Sequence, residues 1–239
     1  FDALREKALE LGAATAFSSQ EVAAGMIEMA KAGWSSQQII DGMSGVLDAA
    51  AASGESLATV STIVADAITS FGLAASDSTR VADLMAQAAN AGTIDIVDIG
   101  ESMKYAAPLA KALGFSIEDV TTAIAAMSTA GIKGSQAGTS LRTMFSGMSS
   151  DIKFVGDGFE DLKVSVRDSE GNMRDLFDII SDMRWVFDQM TQAQKVANAE
   201  NIAGKNGMSG LLSIMTMTKE EYSELAQTMY ESQGAADET

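Results

Sequence analysis

Apolar side chains return every three to four residues along most of this chain, and glycine breaks the pattern at short intervals. Leu57, Val60, Ile63, Val64, Ala67, Ile68 and Phe71 form the cleanest stripe, one face of a helix with a 3.6-residue period. Val120, Ala123, Ile124, Met127 and Ala130 form a second stripe, and Ala137, Leu141, Met144 and Met148 a third. Leu176, Phe177, Ile179, Ile180, Met183, Phe187 and Met190 form a fourth. Glycines at 12, 33, 54, 72, 92, 114 and 131 punctuate the first half. Helical segments of roughly 14 to 18 residues fit between them, each ended by a residue suited to the left-handed cap.

The starts of these segments are marked as well. Ser18 with Glu21 and Ser35 with Gln38 have the spacing of capping boxes, and Ser116 with Asp119 is an acidic version. Ser76-Asp77, Thr93 and Ser135 are further candidate caps. Pro108, the single proline, falls inside a helical run and predicts a kink or a break after residues 105–107. Only one stretch alternates: 163–166 reads as a strand, 168–171 as a turn and 172–174 as a returning strand. Helices resume after it, one ending near Ala203-Gly204, a compact one over 207–215 and a last one over 219–230. Asn206-Gly207 weakens helix continuity where it stands, and residues after Gln233 read as a frayed end.

The pattern predicts a mainly α fold, an array or bundle of short antiparallel helical hairpins with one small β-hairpin near 163–174. Residues 1–150 form a helical hairpin region, and 151–239 a β-hairpin followed by helices, expected to pack with the first as one unit. Ala-Lys-Ala-Gly33, Ala-Asn-Ala-Gly92 and Ser-Thr-Ala-Gly131 resemble one another, as do Phe-Gly72-Leu and Leu-Gly114-Phe. They suggest a degenerate helix-hairpin repeat of about 40 residues.

Composition narrows the chemistry. The net charge is −17, from 33 acids against 16 bases spread evenly along the chain, with no basic patch for phosphate contacts. Nucleic-acid binding by this segment is therefore not expected. With no cysteine and no histidine in the chain, disulfides, thiol nucleophiles and Ser-His-Asp catalysis are excluded within it. The longest uncharged runs are 13 residues, short of the roughly 20 needed to span a bilayer. The chain opens on Phe1 and is expected to be a fragment of a longer protein.

Four stretches have some look of a site. Residues 131–139 contain three glycines and a lysine, but a phosphate-binding loop needs Gly-x4-Gly-Lys-Ser/Thr after a strand, and a helix precedes this one. Gly204-Lys205 is a weaker echo. Asp95, Asp98 and Glu101 gather at the start of a helix, yet calcium takes six to eight oxygens, and acids in a first turn already complement the helix dipole. Asp168-Ser-Glu-Gly171 lacks the further ligands of a calcium loop and reads as a turn. Paired carboxylates can hydrolyse glycosides, but Trp34 and Trp185 are the only tryptophans and no aromatic-lined cleft is signalled. No catalytic, cofactor-binding or metal-binding residue is nominated, no cofactor is expected, and the chain is read as a non-enzyme. Met26, Met43, Met85, Met127 and Met144 lie on apolar stripes and are expected in the core, where their softness would also suit a surface that repacks.

One run is more specific than the rest. YAAPLAKALGFSIEDVTTAIAAMSTAGIKGSQAGTSLRTMF, residues 105–145, resembles the phage tail tape measure protein family in its Ala-Pro pair, its Leu-Gly, its Ala-Gly-Ile and its Ala-Gly-Thr-Ser-Leu-Arg. VSVRDSEGNMRDLFDIISDM and MTQAQKVANAENIAGKNGMSGLLSIM are similar to the elements that follow in that family. The likeness runs from about Ala13 to Met217, with Asn206-Gly207 as a departure. It implies a structural virion component, prophage or phage, that occupies the tail tube lumen, sets tail length and leaves before DNA is delivered, after assembly in the bacterial cytoplasm. Its implied partners are the tail tube protein, tail assembly chaperones and tail tip or baseplate proteins, with self-association possible. The competing expectations are a helical interaction module without a length role and, further off, a cell-wall-degrading enzyme.

Overall fold

The computed structural model describes residues 2–232, so the expected frayed end after 233 lies outside the described residues. Among the described residues, 73% helical character is carried by eleven α-helices. They are α1 (Asp2–Ala14), α2 (Ser19–Lys31), α3 (Ser36–Ser53), α4 (Leu57–Phe71), α5 (Ser78–Ala91) and α6 (Ile96–Leu113). After them come α7 (Ile117–Ser128), α8 (Gly134–Gly147), α9 (Leu176–Phe187), α10 (Gln192–Thr216) and α11 (Lys219–Tyr230). A two-stranded antiparallel sheet, β1 (Ile152–Lys153) with β2 (Lys163–Val164), lies between α8 and α9.

The helices form because their ends are specified locally. Ser18, Ser35, Ser116, Thr191 and Thr218 each accept from the backbone N–H three residues on, and each cap N–H is answered by the Glu, Gln or Asp at that third position. Gly54, Gly72 and Gly114 close α3, α4 and α6 in the left-handed conformation.

Packing follows an alternating rule. The closest neighbour of a helix is usually the second one along the chain, so α2, α4, α6, α8 and α10 make one row and α3, α5, α7 and α11 a second, with α1 against α2. α7 is enclosed by α5, α6, α8, α10 and α11, and all of its residues except Glu118 are buried. The predicted helical array is present, but its tightest contacts are between alternate helices.

Each crossing in the first row is made by a small residue. Gly25 of α2 lies against Ser61 of α4, and Gly100 of α6 against Ile63 of α4. Gly138 of α8 lies against the Ser102 main chain of α6, and Gly207 and Gly210 of α10 against Ser140 of α8. A Cβ at Gly138 would stand 2.9 Å from Ser102 Cα, a contact that only glycine avoids. Hydroxyls fasten two of these crossings: Ser102 Oγ donates to the Gly134 carbonyl at 2.9 Å and Ser140 Oγ to the Asn206 carbonyl at 3.0 Å. The contact positions Ser61, Gly100 and Gly138 recur every 38 or 39 residues. That is the spacing of the suspected repeat.

Several local expectations are corrected. α6 runs unbroken through Pro108, whose ring is exposed, so the Lys104 carbonyl that loses its donor can face water. Thr93 is not a cap: its N–H and hydroxyl bond Ser128 of α7, and Asp95 caps α6 instead. Ser135 falls inside the first turn of α8, whose N-cap position is Lys133. β2 pairs with β1, a partner that two residues of sequence could not announce. The 166–174 hairpin survives as one bridge, Arg167 with Met173, closed by an Asp168 turn. The interruption in α10 falls at Gly204 (φ 65°, ψ 174°), where the sequence ends one helix, while the backbone runs on through Asn206-Gly207.

Candidate functional site

The structure disperses the acidic group suspected at the start of α6. Asp95 is used as the cap, accepting from Asp98 N–H at 2.8 Å. Glu101 is paired with Lys104 at 2.6 Å on the surface. Asp98 faces the N-terminus of α8 beside Gly134, where burial raises its carboxyl above the ordinary value, Asp95 raises it further and Lys133 lowers it. That carboxylate stands beside Gly134 at the start of α8, and its like charge argues against the phosphate reading of the 131–139 turn. Asp168 accepts from the N–H groups of Glu170 (2.9 Å) and Asn172 (2.8 Å), which makes 168–171 a self-contained turn. Gly204 marks a helix interruption. Trp34 is buried in the core, and Trp185 is 65% exposed beside β2.

Sequence reasoning missed a buried polar cluster where α7, α9, α10 and α11 meet. The Arg184 guanidinium lies over the Tyr222 ring, 5.4 Å from its centroid, and donates to the Ile214 carbonyl at 2.9 Å. Its Nε and Nη1 have no hydrogen-bond partner among the described residues. Burial lowers the affinity of this guanidinium for its proton and raises the Tyr222 phenol far above its usual value. Phe177 also stacks with Tyr222, their ring centroids 6.0 Å apart. One helical turn pair further along α11, Tyr230 donates to Asp119 of α7 at 3.1 Å and shares a hydrogen bond with Ser116 Oγ at 3.0 Å. Tyr230 stays 56% exposed, yet its partly desolvated phenol is pushed up to about 12, and burial also raises the Asp119 carboxyl. The cluster fastens α11 over α7, joining residues 111 positions apart. Only the helical spacing of Tyr222, Ala226 and Met229 hinted at it.

An apolar groove lies elsewhere among the described residues. Leu4, Ala8 and Leu9 of α1 and Ala23, Met26, Ile27 and Ala30 of α2 line an open groove of about 420 Å³, with Arg5 its one charged wall. Leu9 is 53% and Ile27 55% exposed there. Grooves of this composition bind apolar surface and offer no group for bond-making chemistry.

Comparison with known proteins places this architecture. A family described as phage-related minor tail protein matches residues 5–204. A protein of Pneumococcus phage Dp-1 named "Tape measure protein" is 37% identical over 235 residues, covering 98% of this chain and 20% of the relative. A protein of Escherichia phage P2 named "Probable tape measure protein" is 29% identical over 216 residues, 90% of this chain and 26% of the relative. The chain thus spans about a fifth to a quarter of the length of these relatives. No solved structure matches. With the family match covering most of its length, this chain belongs to the phage-related minor tail protein family.

Proposed function

We propose that the chain is a folded helical module of a phage tail tape measure protein, a structural part of the virion tail and not an enzyme. The observation that carries this reading is the alignment of 98% of the chain with a relative that bears the tape measure name. The parent protein is read as lying in the lumen of the tail tube and setting tail length during assembly. Its neighbours are then the tube protein, the assembly chaperones and the proteins of the tip or baseplate. The charge of −17 suits a chain that shares a passage with DNA, because like charges repel.

The fold refines the role of this segment. A single straight helix of 239 residues would reach about 360 Å, whereas here alternate helices lie side by side across four crossings. This favours an assembly module over a measuring rod. The test is an in-frame deletion of residues 93–131 from the parent gene, with tail length read by electron microscopy. Missing or misassembled tails are the expected result. Tails shortened by about 1.5 Å per deleted residue would make the segment part of an extended ruler. Normal tails would remove it from both roles.

A further inference from the structure

Unmet polar groups are concentrated beneath α11. Among the described residues five buried side-chain polar atoms lack a hydrogen-bond partner, and three of them, Ser181 Oγ, Arg184 Nε and Arg184 Nη1, belong to α9. Ser181 stands four residues after Phe177 and three before Arg184, so these side chains share one stripe of the helix. Both ends of that stripe lie against Tyr222 of α11, Phe177 by stacking and Arg184 through its guanidinium. With α11 in place the three atoms are sealed from solvent. Among the described residues no carboxylate pairs with Arg184, and Asp188, Glu220 and Glu221 act on its charge from a distance. The closed arrangement therefore sets a desolvated cation and three unmet polar atoms against one ring face and one carbonyl. Lifting α11 returns all of them to water.

The helix is also joined in a way that lets it move as a piece. Its buried residues, Tyr222, Ala226 and Met229, form a single narrow stripe. It packs on α5, α7 and α9 rather than lying along α10, the helix that precedes it. The joint is two extended residues, Met217 (φ −66°, ψ 145°) and Thr218 (φ −67°, ψ 164°). Thr218 and Glu221 close a capping box within the helix itself, so its first turn stays satisfied away from its seat. We propose that α11 is a hinged strap, which lifts as one unit about 217–218 and uncovers Ser181, Arg184 and the adjoining face of α7 while the other helices stay folded. Tyr230, through Asp119 and Ser116, fastens its far end. A lone helix of 12 residues is marginal in water, so the lifted strap also unwinds. The proposal rests on packing alone, and its failure would leave the tail role untouched.

Native-state hydrogen exchange of the unsubstituted chain, followed against urea, tests this. The amides of residues 223–230 are expected to exchange together, through an opening about tenfold or more commoner than the one that exposes α7 and α8. Urea should promote that opening, because a buried face becomes exposed, but less steeply than it promotes global unfolding. Arg184→Met removes the charge and both unmet nitrogens yet keeps a long apolar chain over Tyr222. It is expected to slow exchange in α11 about tenfold. Exchange of α11 only in step with α7 and α8 would overturn the proposal. So would exchange graded inward from residue 230 without urea dependence, the mark of a fraying end. Faster α11 exchange in Arg184→Met would overturn it as well, by showing that the guanidinium holds the helix down.

Discussion

The two rows of helices share glycine contacts, Gly45 of α3 lying against the Thr79 main chain of α5, but differ in the links added to them. In the row from α2 to α10 the helices touch where side chains are missing, at Gly25, Gly100, Gly138 and Gly207. In the row from α3 to α11 polar side chains add long-range links: Arg80 pairs with Glu118, Thr93 with Ser128 and Tyr230 with Asp119. The first kind of contact has almost no adjustable part. The second can lose one link and keep the packing beneath it. Substitutions in the first row should therefore cost more than those that trim the second.

The largest effect is expected at Gly138. In an exposed helix, glycine to alanine stabilises by about 1 kcal/mol. At Gly138 the added methyl meets the Ser102 main chain, so the sign should reverse. Gly138→Leu should lose about 3 kcal/mol in urea unfolding. A neutral or stabilising Gly138→Ala would break the contrast between the rows.

Tyr230→Phe removes the hydrogen bonds to Asp119 and Ser116 while leaving the ring in place. A loss of about 1 kcal/mol is expected in the same assay. A loss as large as that at Gly138 would show that the second row is no more forgiving than the first.

Asp119 sharpens the comparison through pH. Burial raises its carboxyl above the ordinary value, against hydrogen bonds from Ser116 and Tyr230 that lower it. The folded chain therefore holds this proton more tightly than the unfolded chain does. Its contribution to stability is full below the unfolded carboxylate value and is lost as pH rises through the raised folded value. Glu21 and Glu221, lowered by hydrogen bonds from their cap residues, act in the opposite sense. The difference between the parent chain and Asp119→Asn isolates the one group. The variant should gain relative stability as pH rises above about 4, the ordinary carboxylate value, and a flat difference would remove Asp119 as a titrating link.

The smallest effect belongs to the surface. Lys104 and Glu101 are both well exposed, and Lys104→Ala should change stability by no more than about 0.5 kcal/mol. This variant sets the scale against which the others are read.

What could be read from sequence divides along the range of the interactions. Ser18, Ser35, Ser116, Gly54, Gly72 and Gly114 were legible because a cap is decided within four residues. The five methionines assigned to the core are all buried for the equally local reason that their stripes are helical. The alternation of rows was not legible. It depends on which face of each helix carries its small residue, and a chain with 21 glycines offers too many candidates. Nor could Arg184 be matched with Tyr222, or β1 with β2, since neither partner carries a local mark. Of the kink or break expected at Pro108 the break does not occur, because that outcome depends on whether the carbonyl it frees can reach water, and burial is not written at one position. Asp95, Asp98 and Glu101 are close in sequence, but their separate engagements are visible only in three dimensions.

Between Ser140 and Gly207 the spacing of the first row stretches, because the sheet and α9 are inserted there, yet the α8–α10 crossing keeps the same small-residue contact. Registry in this row is therefore held pairwise and owes little to the length of chain between partners. Under tension such a molecule has no single breaking point. Pulled from its ends, it should pay out one helix pair at a time, each lengthening followed by a fresh rise in force as the next crossing takes the load.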